Sequence, residues 1–484
     1  MRFTSRFFSS LLTVVSIFIS PTLAFAETSF EHFQKTFYSS PQTEQKKQEL
    51  QSASSSEIPC EVLSSFETCL NAVINNQVES IYFLFSIHSK NELLQILAAL
   101  KTNTSVKKMD YRDDHIGVSV FENGRHDMDI MMALTDLLKY NRGLKDVVIQ
   151  TNRMDTQTLE SELIFAPEDI NQITNALAVN STITGFGLTS LTNGSYQFYK
   201  SVINLKYQTP KIKDFYIGIN SSAFNGGFEN DIEGLSNIIF SLSNLPIENF
   251  GFMSYAYSDA SSDKINSALN YLLENNNAIK GLSIESHGFR YSAGKQFSKA
   301  LQKNTSLNSI AFVSSEFRGA LGLYSIDNMI EALKSSKIKD VYMSYFPCYL
   351  NDLEQLLDYV KTGSLKSFHM IYYRDDFPAA NLQDILNIIC ENKTLEKFFI
   401  EYAFSASDEY AQLLANALKQ NNTLKNVSFL YDNFSQNGAS ILASSLENNF
   451  TIIEFLGHWD WLSPQEKAVF EARLERNRHL PPVH

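Results

Sequence analysis

The residues best suited to chemistry in this 484-residue chain bind rather than react. Its C-terminal half carries Tyr342, Tyr345, His369, Tyr372, Tyr373, Phe399, Glu401, Tyr402, Tyr431 and Trp459 at recurring intervals. Tyr and Trp bury a large apolar area while keeping a polar tip, so they supply much of the energy of protein–protein contacts. Asp375, Asp376 and Asp432 lie near them in sequence and would favour a basic partner. A second group, Asp113, Asp114, His115, His126, Asp127 and Asp129, gathers oxygen and imidazole groups in one short segment. Such groups can hold a metal, but the expected reading is a solvated acidic loop with no metal and no cofactor. No HExxH, GxSxG, phosphate-loop or calcium-loop spacing occurs, and there is no CxxC pair. No catalytic residue is assigned, and the chain is expected not to be an enzyme.

The aromatic residues belong to a repeat. Leu424-Lys-Asn-Val427-Ser-Phe429 has the pattern apolar, two variable, apolar, one variable, apolar. The same pattern recurs at Leu395/Phe398/Ile400, Leu365/Phe368/Met370 and Ile338/Val341/Met343, and upstream as far as Val78/Ile81/Phe83. Thirteen copies begin at residues 78, 106, 144, 183, 212, 247, 279, 307, 338, 365, 395, 424 and 452, the last reading Ile452/Phe455 with Gly457 in the third place. Before the copies run stretches such as INQITNALAVNSTI and YAQLLANALKQNNTL, with apolar residues at helical spacing. Asn commonly stands three residues ahead of a copy (Asn103, Asn141, Asn180, Asn304, Asn392, Asn421), where it can close the helix and start a turn. Several of these Asn open Asn-x-Ser/Thr sequons, for which repeat chemistry is the simpler cause than glycan attachment. Each unit therefore reads as helix, turn, short strand. One such unit cannot bury its own apolar faces, so the units must stack.

These units resemble the leucine-rich repeat family, in its longer ribonuclease-inhibitor-like class with units of about 28 residues. The resemblance covers residues 61–460. It implies an α/β fold: a curved leucine-rich-repeat solenoid, or horseshoe, with a concave parallel sheet and convex helices. It also implies a non-enzymatic protein that takes a protein partner on its concave face. With motif residues pointing inward, the aromatic set above falls on the variable positions of that face or just after them, whereas Gly185, Gly187, Gly218, Gly251, Ser283 and Ala311 hold the same places earlier in the chain. The family's usual Asn eight residues after the first Leu is met by Asn152 and Asn220 but not by Phe346, Tyr373, Ala403 or Asp432.

Residues 1–26 have the zones of a secretory signal: Arg2 and Arg6, an apolar run, and Ala24-Phe25-Ala26 before Glu27. Residues 27–60 form a polar N-terminal segment or cap, and 461–484 a capping helix and tail opened by Ser463-Pro464-Gln465-Glu466. Export, to the periplasm or outside the cell, is expected, with no membrane span in the mature chain. The signal and the Asn/Lys/Ser/Phe-rich composition suit a bacterium, and a host-derived partner is then one candidate. Cys60, Cys69, Cys348 and Cys390 permit two disulfides, or four buried thiols. With 53 acidic against 40 basic residues, the net charge of −13 disfavours phosphate backbones, so no nucleic acid is expected. Two other readings stand beside the protein-binding one: a structural or carbohydrate-binding surface protein, and a regulator of a host enzyme.

Overall fold

A computed structural model describes residues 65–83, 87, 89–112, 121–122, 125–151, 167–190, 196–219, 228–254, 259–286, 291–313, 326–344, 350–371, 379–401, 407–429, 434–457, 459 and 462–480. The expected signal and N-terminal segment lie outside these residues, as do most of the loops at 113–128 and 151–168. Two compact units divide the chain between Gly288 and Phe289.

Helix and strand alternate in both units. The first runs α1 (Phe66–Ile74), β1 (Ser80–Tyr82), α2 (Lys90–Thr102), β2 (Lys108–Arg112), a small hairpin β3 (Phe121–Glu122) and β4 (Arg125–His126), α3 (Met128–Tyr140) and β5 (Asp146–Thr151). It continues with α4 (Pro167–Val179), β6 (Gly185–Ser190), α5 (Tyr196–Gln208), β7 (Asp214–Ile219), α6 (Phe228–Ser241), β8 (Asn249–Ser254), α7 (Asp259–Asn275) and β9 (Gly281–Ser286). The second contains α8 (Tyr291–Lys303), β10 (Ser309–Val313), α9 (Ile326–Ser335), β11 (Asp340–Ser344), α10 (Leu350–Thr362), β12 (Ser367–Ile371), α11 (Ala379–Glu391) and β13 (Lys397–Glu401). It ends with α12 (Asp408–Gln420), β14 (Asn426–Ser428), α13 (Gln436–Ser444), β15 (Glu454–Leu456) and α14 (Pro464–Arg478). Apart from the hairpin, strands pair in parallel with the strand one repeat away. This is an α/β repeat array, as the stacking argument requires.

The register aligns the motifs. Phe186, Phe215, Phe250 and Leu282 pair in turn across β6–β9, and Val341, Phe368, Phe398, Val427 and Phe455 across β11–β15. All thirteen copies, from Val78, Ile81 and Phe83 to Ile452 and Phe455, are buried. Phenylalanine rings stack between repeats, with centroids 6.4 Å apart for Phe215–Phe250 and 6.3 Å for Phe368–Phe398. Each buried Phe contributes roughly 1.5–3 kcal/mol by leaving water.

The turn asparagines join one repeat to the next. Asn180 Nδ2 donates to the Leu138 and Asn141 carbonyls of the preceding repeat at 2.7 and 2.9 Å, while its Oδ1 accepts from the Thr182 and Ile183 N–H groups. Asn141, Asn392 and Asn421 bond in the same way, and so do Asn276 and Asn449, which the sequence reading passed over. These amides are buried. The nitrogen a glycan would need is thus engaged at Asn103, Asn180, Asn392 and Asn421. In the fifth repeat, where Thr209 takes the Asn position, Lys211 Nζ donates to the Leu177 carbonyl and buried Lys206 Nζ to the Ile212 carbonyl.

The last helix completes the ladder. Ser463 and Glu466 form the capping box, with Pro464 in the first turn. Asn477 of α14 donates to the Asn449 and Ile452 carbonyls, and Arg476 donates to the Leu446 and Asn449 carbonyls, the two that a further repeat's asparagine would reach. At the other end, Cys69 of α1 is disulfide-bonded, whereas Cys390 is a free thiol.

Candidate partner-binding face

In β11, β12 and β13, motif residues alternate with residues on the opposite sheet face. The register sets Tyr342 beside His369 and His369 beside Phe399 on that face. All three side chains are half-buried. Their rings meet edge to face, with centroids 4.5 Å apart for Tyr342–His369 and 5.4 Å for His369–Phe399. This geometry is attractive because one ring's positive edge meets the next ring's negative face. The row continues into Ser428, which is fully buried and whose Oγ has no hydrogen-bond partner among the described residues, and then into half-exposed Leu456. Ala311 precedes Tyr342 in register and is buried. Two residues earlier along each strand, on the same face, the neighbouring row is polar, with Asp340, Ser367, Lys397, Asn426 and Glu454 in register. Ser309 Oγ bonds Asp340 Oδ2 at 2.9 Å, and Asn426 bonds Glu454. The face therefore offers an aromatic strip beside a hydrogen-bonded polar strip.

The predicted site residues separate into three groups. Tyr342, His369 and Phe399 are brought together. Tyr345, Tyr372, Tyr373, Tyr402 and Tyr431 lie outside the described residues, with Asp375, Asp376 and Asp432; of Glu401 only its place as the last residue of β13 is described. Trp459 is built into the end of the array. Its ring lies 4.5 Å from Phe470 of α14 and 4.8 Å from Phe455, and its Nε1 donates to the Phe455 carbonyl at 2.8 Å. Indole and terminal helix together seal the last strand, which an open repeat end demands. The unusual Gly457 follows from the same contact, since a Cβ there would come within 3.0 Å of the Trp459 ring.

The acidic segment before α3 is an ion-pair site where it is described. Lys90 Nζ lies 2.6 Å from Asp127 and 2.7 Å from Asp129. Asp127 also caps α3 by accepting from the Asp129 and Ile130 N–H groups. Burial works to raise the Asp127 carboxyl, but Lys90 and these N–H groups outweigh it and hold it below the usual carboxylate range. Among the described residues no cluster of three or more His, Cys, Asp or Glu could hold a metal.

The corresponding sheet face of the first unit is chemically different. Gly187, Gly251 and Ser283 stand where the second unit has rings, and Asp110, Val148 and Tyr216 at equivalent positions are buried. Glu285 of β9, in register with Met253, is half-buried on this face, and burial pushes its carboxyl up to about 7. A folded-state value above the unfolded one means that stability is fully present below about pH 4.5 and is lost as pH rises through 7. Glu285→Gln, which imitates the protonated acid, is expected to match the parent below about pH 4.5. At pH 8 it should exceed it by about 2–3 kcal/mol. Urea titrations at the two pH values check this, and an equal difference at both would contradict it.

No family model matches the sequence, and no curated protein matches it either. Solved structures with a similar chain path include the leucine-rich repeat-containing protein LegL7 from Legionella pneumophila, at 14% identity and TM-score 0.41, covering 64% of this chain and 95% of that one. The yeast Rad7–Elc1 complex matches at 12% identity and TM-score 0.42, covering 82% and 84%. A Bacteroides fragilis protein matches at 13% identity and TM-score 0.33, covering 58% and 76%.

Proposed function

We propose that this chain is a leucine-rich repeat scaffold of the ribonuclease-inhibitor-like class that binds a protein partner through the open face of β11–β13. The observation that carries the reading is the row Tyr342–His369–Phe399. It sets three rings at paired positions on consecutive strands, half-buried and in edge-to-face contact. Strands about 4.8 Å apart make the row about 10 Å long, enough for the central anchors of a standard interface. The sequence adds Tyr345, Tyr372, Tyr373 and Tyr402 directly after these strands, and Tyr431 three residues beyond β14. A partner captured from envelope or host extracts is expected to lose tenfold or more in affinity for the Tyr342→Ala/Phe399→Ala double variant, since truncating a central anchor costs about 1–2 kcal/mol each. Lys419→Ala, on the helical side, should bind like the parent. Equal affinity of the double variant and this control would remove the face from consideration.

We propose further that the chain is exported, secreted or periplasmic; Asp375, Asp376 and Asp432 favour a basic partner, and a host-derived protein is one candidate. The positive start, apolar run and Ala-x-Ala ending of residues 1–26 support removal of a signal. Exported protein should then begin at Glu27 by mass spectrometry, and exported protein retaining Met1 would overturn that placement.

A further inference from the structure

The repeat that carries Tyr342 is joined to its neighbours differently from the repeats after it. From β13 onward a buried asparagine ties each repeat to the one before. Asn392 Nδ2 donates to the Val360 and Lys361 carbonyls at 2.7 and 3.2 Å, Asn421 Nδ2 to the Ile389 carbonyl, and Asn449 Nδ2 to the Leu418 and Asn421 carbonyls. The equivalent residues, three before Ile338 and Leu365, are Ser335 and Thr362. Their short hydroxyls turn back into their own helices. Ser335 Oγ donates to the Glu331 carbonyl at 2.6 Å and Thr362 Oγ1 to the Asp358 carbonyl at 2.9 Å. The repeat made of α9 and β11 is therefore tied by this amide neither to the repeat before it nor to the one after.

Other contacts of this repeat are also slight. α9 spans ten residues, against thirteen in each of α8, α10, α11 and α12. Its buried motif residues, Ile338, Val341 and Met343, include no ring, whereas Phe368 and Phe398 stack in the next two repeats. Asn392 Oδ1 accepts from the Thr394 and Leu395 N–H groups at 2.8 and 2.7 Å, while the Ile338 N–H meets the Ser336 hydroxyl at 3.3 Å. β11 keeps its strand pairing on both sides, with a part-buried Ser309–Asp340 bond and an exposed Lys339–Ser364 bond beside it. Bonds that water can replace add little to stability.

Stability is not uniform along a chain, and the element with the fewest buried ties opens first. Tyr342 lies on this repeat, and its contact with the His369 ring at 4.5 Å crosses the untied boundary between β11 and β12. His369 and Phe399, by contrast, stand on two repeats that Asn392 joins. We propose that α9 and β11 form a yielding repeat, which opens locally while β12–β15 stay folded, so that Tyr342 joins His369 and Phe399 only in the closed form. The consequence for a partner rests on the reading of β11–β13 as the binding face; the opening itself does not.

Hydrogen exchange, followed by mass spectrometry on the full chain without a partner, tests the opening. Relative to intrinsic rates, peptides covering Val341–Met343 are expected to exchange about tenfold or more faster than peptides covering Phe398–Ile400, the factor that one or two ordinary hydrogen bonds are worth in an opening equilibrium. Ser335→Asn/Thr362→Asn supplies the missing amides and should slow β11 by about the same factor while leaving β13 unchanged. Asn392→Thr gives the next repeat the residue found at 362 and should speed β13 exchange to a similar degree. Undiminished partner affinity of Tyr342→Ala/Phe399→Ala would remove the binding face and leave these exchange rates standing, so the two readings fail separately. Equal protection of β11 and β13 in the parent would overturn the proposal. So would an Asn392→Thr chain whose β13 exchanges like the parent's, or a Ser335→Asn/Thr362→Asn chain whose β11 does.

Discussion

Phe398→Asp is expected to abolish the cooperative thermal transition, whereas Phe399→Asp, one residue along, should still unfold cooperatively. Phe398 is fully buried, in register with Phe368 and Val427, and stacked on Phe368 at 6.3 Å. An unpaired carboxylate there loses its hydration with nothing to replace it, a cost of several kcal/mol. Whole domains are stable by only about 5–15 kcal/mol. Phe399 points to the opposite sheet face and is half-buried, so its replacement by Asp loses ring contact but leaves the charge in reach of water. Circular dichroism on both variants decides the matter. A Phe398→Asp protein melting like the parent would refute the inward assignment of the motif residues.

Asn180→Ala should cost about 3–5 kcal/mol, measured by urea unfolding, while Asn175→Ala on the exposed side of α4 should cost almost nothing. The Asn180 amide makes two hydrogen bonds to the carbonyls of Leu138 and Asn141 and accepts two from Thr182 and Ile183. Alanine strands those four backbone groups in a site where Asn180 is only 1% exposed. Each buried group left unpaired costs about 1–3 kcal/mol, reduced where the turn relaxes or water enters. An effect below about 1 kcal/mol would mean that repeats are joined by apolar stacking alone, with the asparagine ladder adding only turn geometry.

The two experiments divide along the line between what was legible in the chain and what was not. The motif copies, the helix before each, and the capping box at Ser463 could be read directly. Helical and strand periodicity and N-cap chemistry act over a few residues, so the pattern of Val341, Met343, Phe368, Met370, Phe398 and Ile400 already names the buried side of each strand. Repetition then makes the parallel stack the only economical burial. The asparagines were visible as helix stops, but their greater part was not. Asn180 bonds Leu138 and Asn141, about forty residues back, and only stacking carries those carbonyls to its amide. The same holds for Asn477, which no motif marked. Trp459 read as one more aromatic on the sheet face because its sequence position suits that face equally well, and the approach of Phe470 on α14 turned it into the cap's anchor. Tyr342, His369 and Phe399 became one row only when register aligned three strands lying about thirty residues apart along the chain. Local periodicity determines which side of an element is buried. Which residues of different repeats meet is a distance in space, and the stacking of the repeats decides it.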